Sequence, residues 1–309
     1  MEIIRGEHNI RPRHKACVAT IGNFDGVHRG HQAVIAALID KARSSNAKAT
    51  VVLFEPQPAE YFARAAPPAR LTRLREKAEL LAALGVDQLL VLPFDQHMAS
   101  RPADEFVRQC LIDGLAIRGL IVGDDFKFGS HRSGDFLLLR SFAETHGFSI
   151  DRAESFIEDG ERVSSTSIRA LLRSGQLEEV VPLLGRHYFI SGRVVHGQKK
   201  GREMGFATAN IDLHRSASPL HGIFAARVRG IGAAALPAIA YIGFRPIVNG
   251  TKAVLEVHLF DFEQDVYGCY LQVDFVSKIR DDMPFTDFTA LSRQIALDCA
   301  AARRALGVG

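Results

Sequence analysis

The chain has 309 residues, 47% of them hydrophobic and 24% charged, and its 38 Lys and Arg against 35 Asp and Glu leave a formal charge of +3. Domains run to about 100–200 residues, so this length and globular composition point to two domains and exclude a disordered, collagen-like or fibrous chain. A charge this close to zero predicts no general affinity for nucleic acid or an anionic membrane, but it allows local phosphate sites.

The first fifteen residues, MEIIRGEHNIRPRHK, carry charges throughout and are not expected to be a secretory leader. The longest apolar stretches, such as 89–92 and 136–139, fall far short of the roughly 18–20 residues that span a bilayer. Cys17, Cys110, Cys269 and Cys299 are widely spaced, which argues against a disulfide framework or structural zinc and suits buried small hydrophobes. Together these features predict a reduced, soluble, cytoplasmic protein, and no obligate protein partner is expected.

Residues 16–22 predict a short buried strand, 30–43 a helix with Val34, Ile35, Leu38 and Ile39 at helical spacing, and 50–54 a second strand. The stretch 55–68 holds Pro56, Pro58, Pro67 and Pro68 and predicts loop. Then follow a helix over 74–84 closed by Gly85, a strand over 88–93, a helix over 103–112 and a strand over 119–123. A helix over 137–146 ended by Gly147 and a strand over 149–152 complete the alternation. This pattern predicts a parallel α/β sheet with helices on both faces, binding ligands at the carboxyl ends of its strands near the switch point. The character changes near 184–186. Residues 189–195, 222–228, 238–242, 253–260 and 270–276 read as strands of an antiparallel barrel or sandwich, and 287–306 as a helix. The expected domains are 1–184 and 185–309.

The sharpest signal is Ile21-Gly22-Asn23-Phe24-Asp25-Gly26-Val27-His28-Arg29-Gly30-His31. A strand runs into a Gly-rich turn and then a helix. Gly22, Gly26 and Gly30 let backbone approach a ligand, and the helix N-terminus offers N–H groups to an anion. The three-residue spacing puts His28 and His31 on one side, where they can donate hydrogen bonds to a phosphate. A lone histidine on a loop is more often merely solvated, but the pair in this setting favours phosphate. In Val163-Ser164-Ser165-Thr166-Ser167-Ile168-Arg169, hydroxyls and a guanidinium gather at a helix start. They suit a triphosphate, although taken alone the segment reads as ordinary Ser/Thr capping.

The run G-N-F-D-G-V-H-R-G-H resembles the H-x-G-H motif of the nucleotidyltransferase superfamily, and with its F-D-G extension it resembles bacterial FAD synthetases. Phe54-Glu55-Pro56-Gln57-Pro58, Gly123-Asp124-Asp125-Phe126-Lys127-Phe128-Gly129 and S-S-T-S-I-R resemble that family's other motifs, in its order. The resemblance implies a Rossmann-like domain in which the FMN phosphate attacks the α-phosphorus of ATP, giving FAD and pyrophosphate. It implies that His28 and His31 steady the α-phosphate and leaving pyrophosphate, with Gly22, Asn23 and Gly30 beside the phosphates. Ser165, Thr166 and Arg169 would hold the β and γ groups, and Phe54, Asp125 and Phe126 would lie on the flavin side. Asn23 and Asp125 would orient the flavin nucleotide or a metal.

The second half opens with Gly192-Arg193-Val194-Val195-His196-Gly197-Gln198-Lys199-Lys200-Gly201-Arg202-Glu203-Met204-Gly205-Phe206. Four glycines among basic residues suit a flap over phosphates, and an exposed basic hairpin fits the composition equally well. On the extended segment that follows, Thr208 and Asn210 face one side and can ligate a hard cation such as Mg²⁺. Glu256 lies in the strand-like Val254-Leu255-Glu256-Val257-His258-Leu259-Phe260. It is a candidate general base, although a carboxylate on the solvent face of a strand is commoner.

These runs, with Ile279-Arg280-Asp281-Asp282, resemble the riboflavin kinase module. That family has P-T-A-N where this chain has Ala207 in place of the proline, and G-T-R-P-T where this chain has Phe244 and Ile247. The resemblance implies a six-stranded Greek-key barrel with a C-terminal helix, moving the ATP γ-phosphoryl group to riboflavin. Glu256 would take the hydroxyl proton, Thr208 and Asn210 would hold Mg²⁺ and the phosphates, Gly197, Gly201 and Arg202 would contact ATP, and Arg280 the flavin. The order of the two modules resembles the bifunctional bacterial riboflavin kinase/FAD synthetases. The rival expectations are a nucleotidyltransferase with another acceptor and a flavin-sensing or RNA-binding protein with degenerate catalysis.

Overall fold

The computed structural model describes the chain except for residues 64–66, 154–155, 159, 197–205, 214, 216, 248–249 and 309, and for the side chains of 245–247 and 250–252. Two compact units result. The first comprises Met1–Pro68 with Thr72–Ser164, and the second Ala69–Leu71 with Ser165–Gly309.

The first unit is built on β1 (Glu2–Arg5), β2 (Val18–Ile21), β3 (Ala49–Glu55), β4 (Gln88–Pro93), β5 (Gly119–Gly123) and β6 (Ser149–Ala153). They form one sheet in the order β1-β4-β3-β2-β5-β6, with every pairing parallel. Helices cover both faces, which is why β4 reads as an unbroken apolar run instead of an alternating one. Leu89 and Val91 face a core with Ile35, Leu38 and Leu81 of α1 (Arg29–Ser44) and α3 (Leu74–Ala83). Leu90 and Leu92 face the opposite core. There they meet Phe106 of α5 (Ala103–Phe106) and Leu139 and Phe142 of α6 (Phe136–His146). The short helices α2 (Pro58–Phe62) and α4 (Gln96–Ser100) follow β3 and β4.

The strand order reverses between β2 and β5, which are paired neighbours. The loops after these two strands therefore open at the switch point, where doubly wound sheets bind ligands. Edge strand β1 was not expected from sequence, because four residues with charges at both ends carry no periodic signal. The helix expected over 103–112 is α-helical only to Phe106, and Val107–Gly114 continues as a wider π-type helix. A small hairpin, β7 (Ile157–Glu158) with β8 (Glu161–Arg162), closes this unit.

The second unit opens with α7 (Ser165–Ser174) and α8 (Leu177–Leu184), and α8 packs against the strand Tyr270–Arg280. Its strands are β9 (Phe189–Val195), β10 (Ala209–Asp212), β11 (Gly222–Arg229), β12 (Leu236–Ile247), β13 (Gly250–Leu259) and β14 (Tyr270–Arg280). They close into a six-stranded antiparallel barrel in the order β10-β13-β12-β11-β14-β9. Closure leaves no edge strand. On β11, Phe224, Ala226 and Val228 are fully buried, and Phe224 meets Phe275 edge-to-face at 5.4 Å. The alternate residues Ile223 and Ala225 lie beneath the C-terminal helix α9 (Phe288–Leu306), against Cys299, Ala302 and Leu306. Asp287 caps α9, accepting from the Ala290 N–H at 2.8 Å, and Gly307 ends it in the left-handed conformation.

Candidate active sites

The Gly-rich loop after β2 has an unusual backbone. Phe24 and Val27 sit at φ of 46° and 43°, and Gly26 at 84°. Left-handed non-glycine residues are costly unless the surroundings over-determine them. Here they do, since Phe24 and Val27 are buried in the α1–α3 core. Buried Asp25 also accepts hydrogen bonds from the Thr72 N–H at 2.9 Å and the Thr72 hydroxyl at 3.3 Å. The Gly26 N–H donates to the Thr72 hydroxyl oxygen at 2.9 Å. Lys77, fully buried on α3, donates from its ammonium to the Asn23 carbonyl. Thr72 and Lys77 carry no motif, and sequence reasoning missed both.

The loop delivers His28 as the N-cap of α1. Its Nδ1 accepts the His31 backbone N–H at 3.3 Å. That nitrogen is then unprotonated in the neutral ring, so the donor is Nε2–H. The His31 ring stacks on His28 with centroids 3.6 Å apart and planes inclined by 21°. Its Nδ1 is buried and has no partner among the described residues. Burial, followed by the charges of His28 and Lys77, holds His31 well below the ordinary histidine value of 6.5, so it is neutral at neutral pH. Gly30 allows a close approach, because a Cβ there would lie 3.2 Å from the His28 ring, tighter than ordinary van der Waals contact.

A cleft of about 1030 Å³ brings together Gly22, Asn23, Phe54, Asp125 and Phe126, five residues chosen from the sequence, while His28 and His31 are not among its lining residues. They come from the loops after β2 and β5, at the switch point, and from the carboxyl end of β3. Aromatic side chains dominate the walls. Phe126 and Phe128 stack at 5.4 Å, Phe54 meets Phe94 edge-on at 5.5 Å, and Phe62 is 62% exposed. An apolar slot with a polar end suits a flat, amphipathic ring system. Arg162 bridges Asp124 at 3.2 Å and Asp125 at 3.1 Å, which orients the Asp125 carboxylate. The signal for Arg162 was available in its place two residues ahead of Ser164.

Ser165, Thr166 and Arg169 occupy the first turns of α7, in the second unit. Arg169 Nε donates to the Ala69 carbonyl at 2.7 Å.

On the barrel, Glu256 of β13 lies directly opposite Asn210 of β10 on one side and Tyr241 of β12 on the other. Opposed residues share a face. Leu255, Val257 and Leu259 are buried, while Glu256, like Asn210 and Tyr241, is half-buried on the outer face. Thr208 precedes Asn210 by two residues and is also half-buried. A hydroxyl, an amide oxygen and a carboxylate are hard oxygen donors, and this set fits Mg²⁺ shared with phosphates. Among the described residues, no group of three or more His, Cys, Asp and Glu is placed to hold a metal. His258 Nδ1 donates to the Ala207 carbonyl at 2.9 Å, tethering the segment before Thr208 where the chain lacks the proline. The Tyr241 hydroxyl donates to Asp282 at 2.8 Å.

Arg280 is held by Asp298 of α9 through Nε at 2.9 Å and Nη2 at 2.7 Å. Phe244 is 41% exposed and its ring lies parallel to His221 at 6.0 Å. Gly197, Gly201 and Arg202 lie outside the described residues, as does the side chain of Ile247. Among the described residues, no helix is long and apolar enough to cross a membrane.

The FAD synthetase family model matches residues 10–167, and the riboflavin kinase family model matches 184–306. The bifunctional riboflavin kinase/FMN adenylyltransferase of Escherichia coli K12 is 47% identical over 309 residues, covering 100% of this chain and 99% of the relative. The protein of the same name from Haemophilus influenzae is 45% identical, covering 98% of both chains. A solved Streptococcus pneumoniae structure, described as a macrolide-efflux protein, superposes with a TM-score of 0.83 at 28% identity, over 98% of this chain and 99% of that one. With two domain matches in tandem and relatives of this identity along its whole length, the chain belongs to the family of bifunctional riboflavin kinase/FMN adenylyltransferases.

Proposed function

We propose that this chain converts riboflavin to FAD in two ATP-dependent steps, carried by the two sets of residues described above, with the catalytic boundary near residue 185. The observation that carries the reading is the stacked His28–His31 pair at the start of α1, on the same Gly-rich loop whose Gly22 and Asn23 line the cleft with Phe54, Asp125 and Phe126.

In the first step the riboflavin 5′-hydroxyl attacks the γ-phosphorus of ATP and ADP leaves. Glu256 takes the hydroxyl proton as the new P–O bond forms. Thr208 and Asn210 hold the phosphates and would hold Mg²⁺ with them, and the ion when bound would supply neutralising charge for the transferring group. Gly197, Gly201 and Arg202 contribute phosphate contacts. Arg280, its orientation set by Asp298, presents its guanidinium to the flavin.

In the second step an oxygen of the FMN phosphate attacks the α-phosphorus of ATP. The bond to the bridging oxygen breaks and pyrophosphate leaves. No covalent enzyme intermediate is needed, so catalysis is positioning and charge stabilisation. Nε2–H of His28 and the neutral ring of His31 donate to the oxygens that gain charge. Gly22, Asn23 and Gly30 line the phosphate path, and Ser165, Thr166 and Arg169 hold the β and γ groups. Phe54 and Phe126 receive the isoalloxazine, while Asp125 orients the flavin nucleotide.

All four cysteines are unpaired, which suits a reducing compartment, and we place the reactions in the cytoplasm, with no nucleic acid or protein partner required. Incubation with riboflavin, ATP and Mg²⁺, followed by chromatography, tests the reading. FMN and then FAD are the expected products, and tight flavin binding without turnover would refute it.

A further inference from the structure

The loop that follows β5 carries two residues that the mechanism above leaves unused. His131 and Arg132 line the cleft and are exposed. Both lie in the left-handed region, at φ of 54° and 58°. Such strained residues persist only where the surroundings over-determine them, and they cluster at ligand sites. Here the surroundings do so. The Ser130 N–H donates to the Arg101 carbonyl at 2.8 Å, and a Cβ on Gly129 or Gly134 would lie within 2.7 Å of Ala103. Arg101 is itself 3% exposed and paired with Glu7 at 2.6 Å. Arg101 and Ala103 follow β4, so the connections leaving β4 and β5 meet across the ends of β3 and β2, which lie between them in the sheet. The loop tip springs from Phe128, which stacks on Phe126 and lies 5.9 Å from Phe106. It therefore adjoins the aromatic wall of the cleft. The neighbouring cations are committed, Lys127 to Asp135 at 3.2 Å and Arg162 to Asp124 and Asp125. Among the described residues, the Arg132 guanidinium has no hydrogen bond or ion pair.

We propose that Arg132 is a specificity-determining residue for adenylyl transfer, donating from its guanidinium to the carbonyl edge of the isoalloxazine pyrimidine ring. The role rests on the reading of the cleft as the flavin site given above. On that reading the FMN phosphate belongs at the Gly-rich loop, which leaves the ring system to the aromatic wall and its tip. The pyrimidine edge carries two carbonyl oxygens on either side of an N–H, and a planar fork of donors matches those oxygens. The opposite edge of the ring system carries methyl groups and offers a cation nothing. The contact is remote from the reacting phosphorus and equal in bound substrate and transition state. Its loss therefore falls on KM for FMN more than on kcat.

The test uses the full-length protein with supplied FMN, ATP and Mg²⁺. Arg132→Gly removes the guanidinium and relaxes the left-handed backbone, while Arg132→Lys keeps a charged donor. In Arg132→Gly, KM for FMN in FAD formation is expected to rise about tenfold, the weight of a hydrogen bond to a charged group, with kcat changed less than about threefold. Arg132→Lys should fall between Gly and the wild type. The melting temperature of Arg132→Gly should be no lower than that of the wild type, because glycine adopts positive φ without strain. Lumiflavin has the ring system but no ribityl phosphate, so as a competitive inhibitor of FAD formation it reports the ring contact alone. Its Ki should rise in Arg132→Gly by the same factor as KM for FMN. An unchanged KM overturns the proposal. So does a raised KM with an unchanged lumiflavin Ki, which would put the guanidinium on the phosphate. An equal loss in Gly and Lys with a lowered melting temperature marks a structural role and overturns it as well. The two claims fail differently. If lumiflavin does not inhibit the wild type, the flavin reading of the cleft fails; if it inhibits the wild type and Arg132→Gly alike, only the role of Arg132 fails.

Discussion

His28 and His31 stack at 3.6 Å, and the backbone N–H of one donates to the ring of the other. That single relationship fixes the tautomer of His28 and covers one face of the His31 ring. Two cations cannot share that spacing in a buried setting, so the pair works as hydrogen-bond donors without a full charge on each ring.

Replacing both histidines with Ala is expected to abolish FAD formation from FMN while leaving FMN formation from riboflavin intact. One lost donor of this kind costs roughly 10²–10³ in rate. Chromatography of the products separates the two steps, and near wild-type FAD formation would rule out the assignment.

The depressed His31 value also sets a pH dependence of stability. In the unfolded chain His31 takes a proton near its ordinary value of 6.5, whereas in the folded chain it resists until well below that. Its contribution is therefore fully present above 6.5 and is lost as pH falls through the folded value. Melting temperature should drop between pH 6.5 and pH 5 in the wild type, and drop less in His31→Gln. Parallel curves would remove His31 from the account.

Much of this architecture was legible in the sequence, and the exceptions have physical reasons. The buried parallel strands announce themselves because both faces are covered, as in Gln88–Pro93. The Gly-rich turn and its histidines are local, and so is the Phe54–Pro58 loop. Thr72 and Lys77 are not legible, because their meaning comes from a helix some fifty residues along the chain folding under the loop. The π-type turn over Val107–Gly114 keeps helical spacing and cannot be told from an α-helix by pattern. On the barrel, the alternation around Glu256 was readable, but its opposition to both Asn210 and Tyr241 is a matter of register, which the pattern of a single strand does not fix.

Arg280 and Asp298 join the last barrel strand to the C-terminal helix, and both are largely buried, at 19% and 5% side-chain exposure. Asp298→Ala would strand the guanidinium beside Gln294, which also donates to Asp298 at 2.8 Å. Removing one partner of a buried pair costs about 3 kcal/mol or more. Chemical denaturation of the full-length variant should show a loss of that order, and a loss below about 1 kcal/mol would place the pair among weak surface contacts.

Phe244 is exposed, so exchanging it for a smaller residue should cost little stability. Phe244→Thr with Ile247→Thr restores the hydroxyls that the family carries there. Riboflavin kinase kcat/KM is expected to rise with no change in FAD formation from FMN. Unchanged kinase kinetics would mark both departures as neutral.

The central claim is that one chain holds two separate chemistries, and Glu256→Gln in the full-length protein tests it most directly. The change removes the proposed base and nearly preserves its size. Conversion of riboflavin to FMN should slow by roughly 10²–10⁴, the usual weight of general base catalysis. Conversion of supplied FMN to FAD should proceed at the wild-type rate, because the proposed mechanism gives that step to His28 and His31. Loss of both steps in a variant with wild-type circular dichroism and melting would contradict the account.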